Sequence, residues 1–315
     1  MNKIERVKTV LAGKVPDKTP GGFWFHYKSE YSVEQMVESH LELYRKTDMD
    51  IVKIMQDYPY PIIGDVKSPS DWYKIKMLGT SSAEFAKMAE IIKRIADKLQ
   101  GEAMIFQTMF GPFKAASIRY GDDLLMAHCK EDPKAVLTGV NILSEVLAEW
   151  AERYLTSGAD GIYYSAQFAE VGRFTESEWT TLVKPADIKV LNVADKRDGK
   201  YNILHICGEP QYNFKTHVNR YASYPMDIVN WSVKDNGFNL EQGRNLFKKP
   251  VLGGLNNKGN ILNGTDEQIQ EEVNAAIKNF GQAGLMIGAD CTIQGNKISL
   301  DKIRAAVEAA HNYKL

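Results

Sequence analysis

Short apolar runs followed by amphipathic stretches recur eight times along this 315-residue chain, and that alternation restricts its fold more than any other feature. A short apolar run bounded by turn residues reads as a buried strand, and apolar residues three and four apart read as a helix. The predicted strands are 22–27, 50–55, 103–110, 161–167, 201–207, 227–232, 250–256 and 283–291. The predicted helices are 4–11, one opening at Ser32 and carrying Met36 to Tyr44, 82–99, 121–157 with a break at Asp132-Pro133, 176–197, 212–221, 240–247, 266–280 and 300–313. Strand–helix alternation builds a parallel sheet, and eight units with no intervening boundary predict an α/β fold. We expect a single (β/α)8 barrel over residues 1–315 with a short N-terminal helical extension.

Two of the predicted strands end in thiols. In the run from Tyr201 to Cys207, His205 and Cys207 are two apart and therefore share one face of the strand. The run from Ala283 ends at Cys291. A His/Cys/Cys set suffices for a catalytic zinc, which takes three protein ligands and keeps one position open. The ordinary alternative is that each Cys is a small buried hydrophobe. In a barrel all three residues lie at the C-terminal face, where active sites of this fold are built, and that placement favours metal. Asp290, Glu209, solvent or a substrate thiol are the candidates for a fourth ligand.

Other polar residues fall at predicted strand ends: His26, Gln56, Asp57, Gln107, Tyr164, Gln167, Asn230, Ser232, Asn256 and Asn257. For most, the reading is loop support. Asp57 is singled out as a carboxylate beside an apolar mouth, suited to be an acid, a base or an anchor. His128 and Cys129 read as helix packing, and His217 and His311 as surface or helix residues.

Apolar residues make up 44% of the chain and charged residues 25%, the balance of a chain with a sizeable core. The net charge of −1 leaves no basic excess to neutralise phosphates, which excludes nucleic-acid and membrane-surface roles. The N-terminus lacks the apolar core of a signal peptide and no long uncharged run occurs, so a cytoplasmic location is expected. Three cysteines there point to thiolate chemistry or burial rather than disulfides.

Several stretches together resemble the uroporphyrinogen decarboxylase superfamily, and within it the zinc-dependent, corrinoid-linked methyltransferases. They are Arg6-Val7 through Asp17, Phe110-Gly111-Pro112-Phe113, His205-Ile206-Cys207-Gly208, Gly253-Gly254-Leu255-Asn256 and Gly288-Ala289-Asp290-Cys291. The methyltransferase branch, which includes the methylcobalamin:coenzyme M methyltransferases, is marked by His-x-Cys followed at long range by Cys. The resemblance thus makes His205, Cys207 and Cys291 the zinc ligands. The Arg-rich N-terminal segment of the decarboxylases is replaced by Phe23-Trp24-Phe25-His26-Tyr27. Their Asp after the second strand is matched by Asp57, their Tyr beyond the Gly-Pro turn is replaced near Ile118, and their C-terminal His is not evident.

The resemblance implies methyl transfer between a corrinoid (cobalamin) and a small methyl donor or thiol acceptor. With no Asp-x-His-x-x-Gly segment, the corrinoid is expected on a partner protein, and residues 58–80, with Tyr58, Tyr60 and Trp72, are a candidate cover or docking surface. The alternatives are tetrapyrrole decarboxylation without metal, and a barrel that binds a corrinoid or tetrapyrrole without chemistry.

Overall fold

A computed structural model of the chain describes residues 1–295 and 297–314. Its strands are β1 (Ile51–Ile54), β2 (Ile62–Ile63), β3 (Lys76–Met77), β4 (Met104–Phe110), β5 (Gly161–Ala166), β6 (Tyr201–Ile206), β7 (Ile228–Trp231), β8 (Val251–Leu255) and β9 (Leu285–Ala289). Seven of them form one parallel sheet in the order β1-β4-β5-β6-β7-β8-β9, curled and flanked by helices as a TIM-barrel-like α/β fold. β2 and β3 form a separate antiparallel ribbon.

The predicted strand 22–27 is not a regular strand but a pair of isolated parallel bridges, Gly21 with Ile287 and Phe25 with Ile293. It still joins the two edges of the sheet. Gly22 N–H donates to the Ile287 carbonyl (2.9 Å), Ile287 N–H donates to Pro20 (2.8 Å), and Asp50 N–H donates to Gly21 (2.9 Å). Pro20 has no N–H for a ladder, and Gly22 is needed for close approach, since a Cβ there would lie 2.7 Å from the Ile51 side chain.

Two apolar cores result. The larger lies between strands and helices; the smaller fills the ring and includes Ile51, Phe106, Ile203, Ile228, Leu252 and Met286. Strand residues alternate between the two, which is why the strands read as continuous apolar runs.

Among the helices, 121–157 breaks where expected, into Asp122–Glu131 and Pro133–Thr156. The expected helix 212–221 does not form. Asn213 and Phe214 adopt left-handed φ of 52° and 58°, which interrupts any helix, and only short 3-10 turns at Pro210–Tyr212 and Val218–Tyr221 remain. A helix at Pro112–Tyr120, not anticipated from the sequence, starts with proline in its first turn. Tyr58, Tyr60 and Trp72 are buried and pack against the barrel, so these aromatics are not a docking surface. Among the described residues no helix is long and apolar enough to cross a membrane.

Candidate metal centre

β6 aims His205 inward, and Cys207, one residue past its end, continues the pairing through an N–H bond to Ala166 (2.9 Å). Cys291 lies two residues past β9. The Cys207 and Cys291 sulfurs are 3.8 Å apart, and Cys291 Sγ is 3.4 Å from His205 Nε2. All three donor atoms lie within 4.8 Å of one another. A tetrahedral zinc with Zn–S of about 2.3 Å and Zn–N of about 2.0–2.1 Å sets S···S at about 3.8 Å and S···N at about 3.6 Å. Two of its edges, Cys207–Cys291 and Cys291–His205, are therefore close to the lengths such an ion requires.

Asn230 fixes which imidazole nitrogen faces the sulfurs. It sits across from His205 in the β6–β7 register. Its Nδ2 donates to the Leu252 (2.6 Å) and Ala289 (3.0 Å) carbonyls, so its Oδ1 must accept. That oxygen takes the Tyr163 hydroxyl (3.1 Å) and contacts His205 Nδ1, which accordingly carries the proton. Nε2 keeps its lone pair, pointed at Cys291. A ligating histidine needs this arrangement.

The two thiols ionise unequally. A hydrogen bond from the Cys207 thiol, against the cost of burial, holds Cys291 well below the usual thiol range. The same contact, with burial, pushes Cys207 up. The neighbouring loop is tightly seated: a Cβ on Gly208 would lie 2.3 Å from the Phe214 carbonyl oxygen.

Beside the three residues is a cavity of about 280 Å³. Its walls include His26, Lys53, Lys114, Gln167 and Glu209. Lys114 and Glu209 pair at 2.6 Å, and Glu209 lies outside the His/Cys/Cys group. Asp290 is likewise outside the His/Cys/Cys group. Its carboxylate accepts from Ser232 (3.4 Å) and the Lys234 N–H (3.2 Å), and burial pushes it up to about 7.

Asp57 is not the lone carboxylate expected. Its oxygens contact His26 Nδ1 (2.5 Å) and accept the Tyr27 N–H (3.0 Å), with 5% of its side chain exposed against 51% for His26. It is His26 that reaches the cavity wall. Tyr164 turns away, donating to Asp187 (2.6 Å). Gln56 bonds the Tyr58 carbonyl, and Asn257 ties the loop after β8 to Thr292. His128 accepts from Trp72 Nε1 (3.0 Å), in keeping with helix packing. His311 is a helix residue, one of the two readings offered, and its side chain, 7% exposed, meets Asp50 at 2.9 Å. Sequence reasoning passed over Lys53 and Lys114, and it gave Asn230 no role beyond loop support. An interior lysine flanked by Val52 and Ile54 in a predicted strand was the available signal.

The uroporphyrinogen decarboxylase (URO-D) family model matches residues 24–313. The chain belongs to that family. This URO-D chain is 23% identical, over 261 residues, to the methylcobamide:CoM methyltransferase MtbA of Methanosarcina acetivorans, covering 82% of this chain and 73% of that protein. It resembles the structure of a methyltransferase from Methanosarcina mazei with a TM-score of 0.77 at 16% identity, each chain covered to 98%. A B12-independent methionine synthase from a Shewanella species follows at a TM-score of 0.59 and 14% identity, covering 88% of this chain and 85% of that one. At such identities the structural likenesses establish the fold. The family and the MtbA match are consistent with the methyltransferase branch expected from His205, Cys207 and Cys291.

Proposed function

We propose that this protein is a zinc-dependent methyltransferase that moves a methyl group between a corrinoid carried on a partner protein and a small methyl donor or thiol. The observation that carries the reading is the His205/Cys207/Cys291 triangle, with Asn230 leaving Nε2 bare toward the sulfurs. Zinc held by this set would supply an open coordination position and lower the pKa of a thiol bound there.

The chain's own residues do the rest. Asn230 orients the imidazole, and the two thiolates offset the ion's charge. The cavity beside the triangle has room for a small molecule. His26, held by Asp57, stands at the cavity wall as the group for proton transfer. At about 280 Å³ the cavity suits a small partner better than a tetrapyrrole, which weighs against the decarboxylase alternative. Ile63, Tyr73 and Leu78, exposed on the segment after β1, are available to a docking protein.

Metal analysis of the purified protein tests the centre. About one zinc per chain is expected, lost in both Cys207→Ser and Cys291→Ser. No zinc after reconstitution, or full zinc in either variant, overturns the proposal. Methyl transfer from methylcobalamin to a thiol then tests the reaction.

A further inference from the structure

The three candidate ligands border two cavities. One is the cavity of about 280 Å³ described above; the other, of about 30 Å³, is also lined by His205, Cys207 and Cys291. Asp290 and Asn257 line only the smaller one, and nothing in the methyl-transfer reading uses it.

Each of these two residues brings the small cavity a buried oxygen without a partner. Asp290 is 1% exposed. Its Oδ2 accepts from Ser232 and the Lys234 N–H, while Oδ1 has no hydrogen-bond partner among the described residues. Asn257 is 8% exposed. Its Nδ2 donates to the Thr292 carbonyl (3.0 Å), which fixes the amide's orientation and leaves Oδ1 unpartnered among the described residues. The ammonium on this cavity, Lys258, pairs with Asp235 at 2.8 Å and lies over the Phe214 ring (3.6 Å), so it does not answer the Asp290 charge.

A buried carboxylate and a buried amide oxygen are both costly without partners. Both orphans are acceptors, so their occupant must bring positive charge or hydrogen-bond donors. The cavity sets its size: about 30 Å³ holds one particle as large as a water molecule, with no hydration shell around it. That disfavours Mg2+, which keeps several waters, and Ca2+, which takes about six to eight oxygens. Carboxylate and amide oxygens are also hard ligands, unlike the neighbouring thiolates. A water fills the space but leaves the Asp290 charge unanswered; a monovalent cation does both.

We propose that this cavity binds a monovalent alkali cation of about the size of K+, held by Asp290 Oδ1 and Asn257 Oδ1 at a site distinct from the His/Cys/Cys group. The ion joins the loop after β8, which carries Asn257, to the residue before Cys291, and so steadies the chain that delivers that thiol. It takes no part in bond changes, and the site does not rest on the methyl-transfer reading.

Calorimetric melting in about 0.1 M potassium, sodium or tetramethylammonium chloride tests the site at constant screening, because tetramethylammonium is too large to enter. K+ should raise the melting temperature by about 3 °C over tetramethylammonium and saturate with concentration. Asp290→Asn and Asn257→Leu should each lose that rise. A rise with Na+ instead of K+ assigns the smaller ion to the same oxygens. Crystals of the wild type grown in rubidium chloride give a second measurement that needs no variant: an anomalous peak should lie between Asp290 and Asn257. No difference between the alkali salts and tetramethylammonium overturns the proposal, since the cavity then holds water or a proton shared by the two side chains. A rise that survives in both variants, or a rubidium peak elsewhere only, overturns it as well. The series runs equally on protein that takes up no zinc, so failure of the thiolate centre is read separately. If the wild type carries zinc, loss of it in Asp290→Asn makes Asp290 part of that centre and overturns the separate site.

Discussion

Replacing Lys53 with methionine should stabilise the protein, and the gain should depend on pH. In the unfolded chain this lysine ionises near 10.5, and in the fold burial lowers that to about 7. Between those values the unfolded chain binds the extra proton, so the lysine's contribution to stability falls as pH drops from about 10.5 to about 7 and is constant below. A displacement of about 3.5 units at about 1.4 kcal/mol each sets a ceiling of about 5 kcal/mol on the penalty at neutral pH. The variant also loses two cation–π contacts, with Tyr163 and Trp24, at about 1 kcal/mol each, leaving a net gain of about 2–3 kcal/mol. Asp57, Cys207 and Cys291 are the charged or titratable groups that act on the ammonium, and the substitution leaves them in place. With an unfolding entropy of about 2 cal/mol/K per residue, 315 residues turn each kcal/mol into about 1.5 °C. Calorimetric melting at pH 6.5 should therefore place Lys53→Met roughly 3–5 °C above wild type, with the gap closing toward zero at pH 9.5. A variant less stable at pH 6.5, or an equal gap at both pH values, refutes the reasoning.

Three other perturbations reach other parts of the molecule. Asn230→Leu removes the acceptor of the His205 Nδ1 proton and should weaken zinc roughly 10- to 100-fold in a chelator competition, with all three ligands present; unchanged affinity refutes that role. Gly208→Ala puts a Cβ 2.3 Å from the Phe214 carbonyl oxygen, and should cost about 1–3 kcal/mol in a denaturant titration; a neutral effect means the loop gives way freely. Asp187, raised to about 7 by burial despite hydrogen bonds from Tyr164 and Tyr224, binds its proton in the fold above pH 4, so its contribution to stability falls as pH rises to about 7. Asp187→Asn should then raise the melting temperature more at pH 8 than at pH 4.5, and equal shifts at both contradict the assignment.

The strand order and the triangle were legible because both rest on local regularities. Alternation of apolar runs specifies a parallel sheet, and period-two geometry places His205 and Cys207 together whatever the rest of the chain does. Cys291 was found because its run copies the first in ending on sulfur. What escaped was set by tertiary contact. The segment 22–27 has the composition of a strand, yet Pro20 and the glycines let it make only a few bonds to either edge. The segment 212–221 has helical spacing, but the left-handed backbone at Asn213 and Phe214 is needed to bring residue 216 beside Glu170. Asp57 looked solitary in the sequence because its partner, His26, lies 31 residues earlier. Asn230 could be placed near His205 only once the register of β6 and β7 was known, and Lys53 acquires meaning only from the rings it meets.

The sulfurs of the centre are 84 residues apart in the chain, and the second lies past the last strand of the sheet. During synthesis the His205 and Cys207 pair emerges well before Cys291 does, so a nascent chain carries two donors with no third to complete them. The three donors come together only once β9 has docked against β8 and carried Cys291 toward the end of β6. A chain stalled short of Cys291 would hold only two of the three donors, so the set is complete only when the last strand of the sheet is in place.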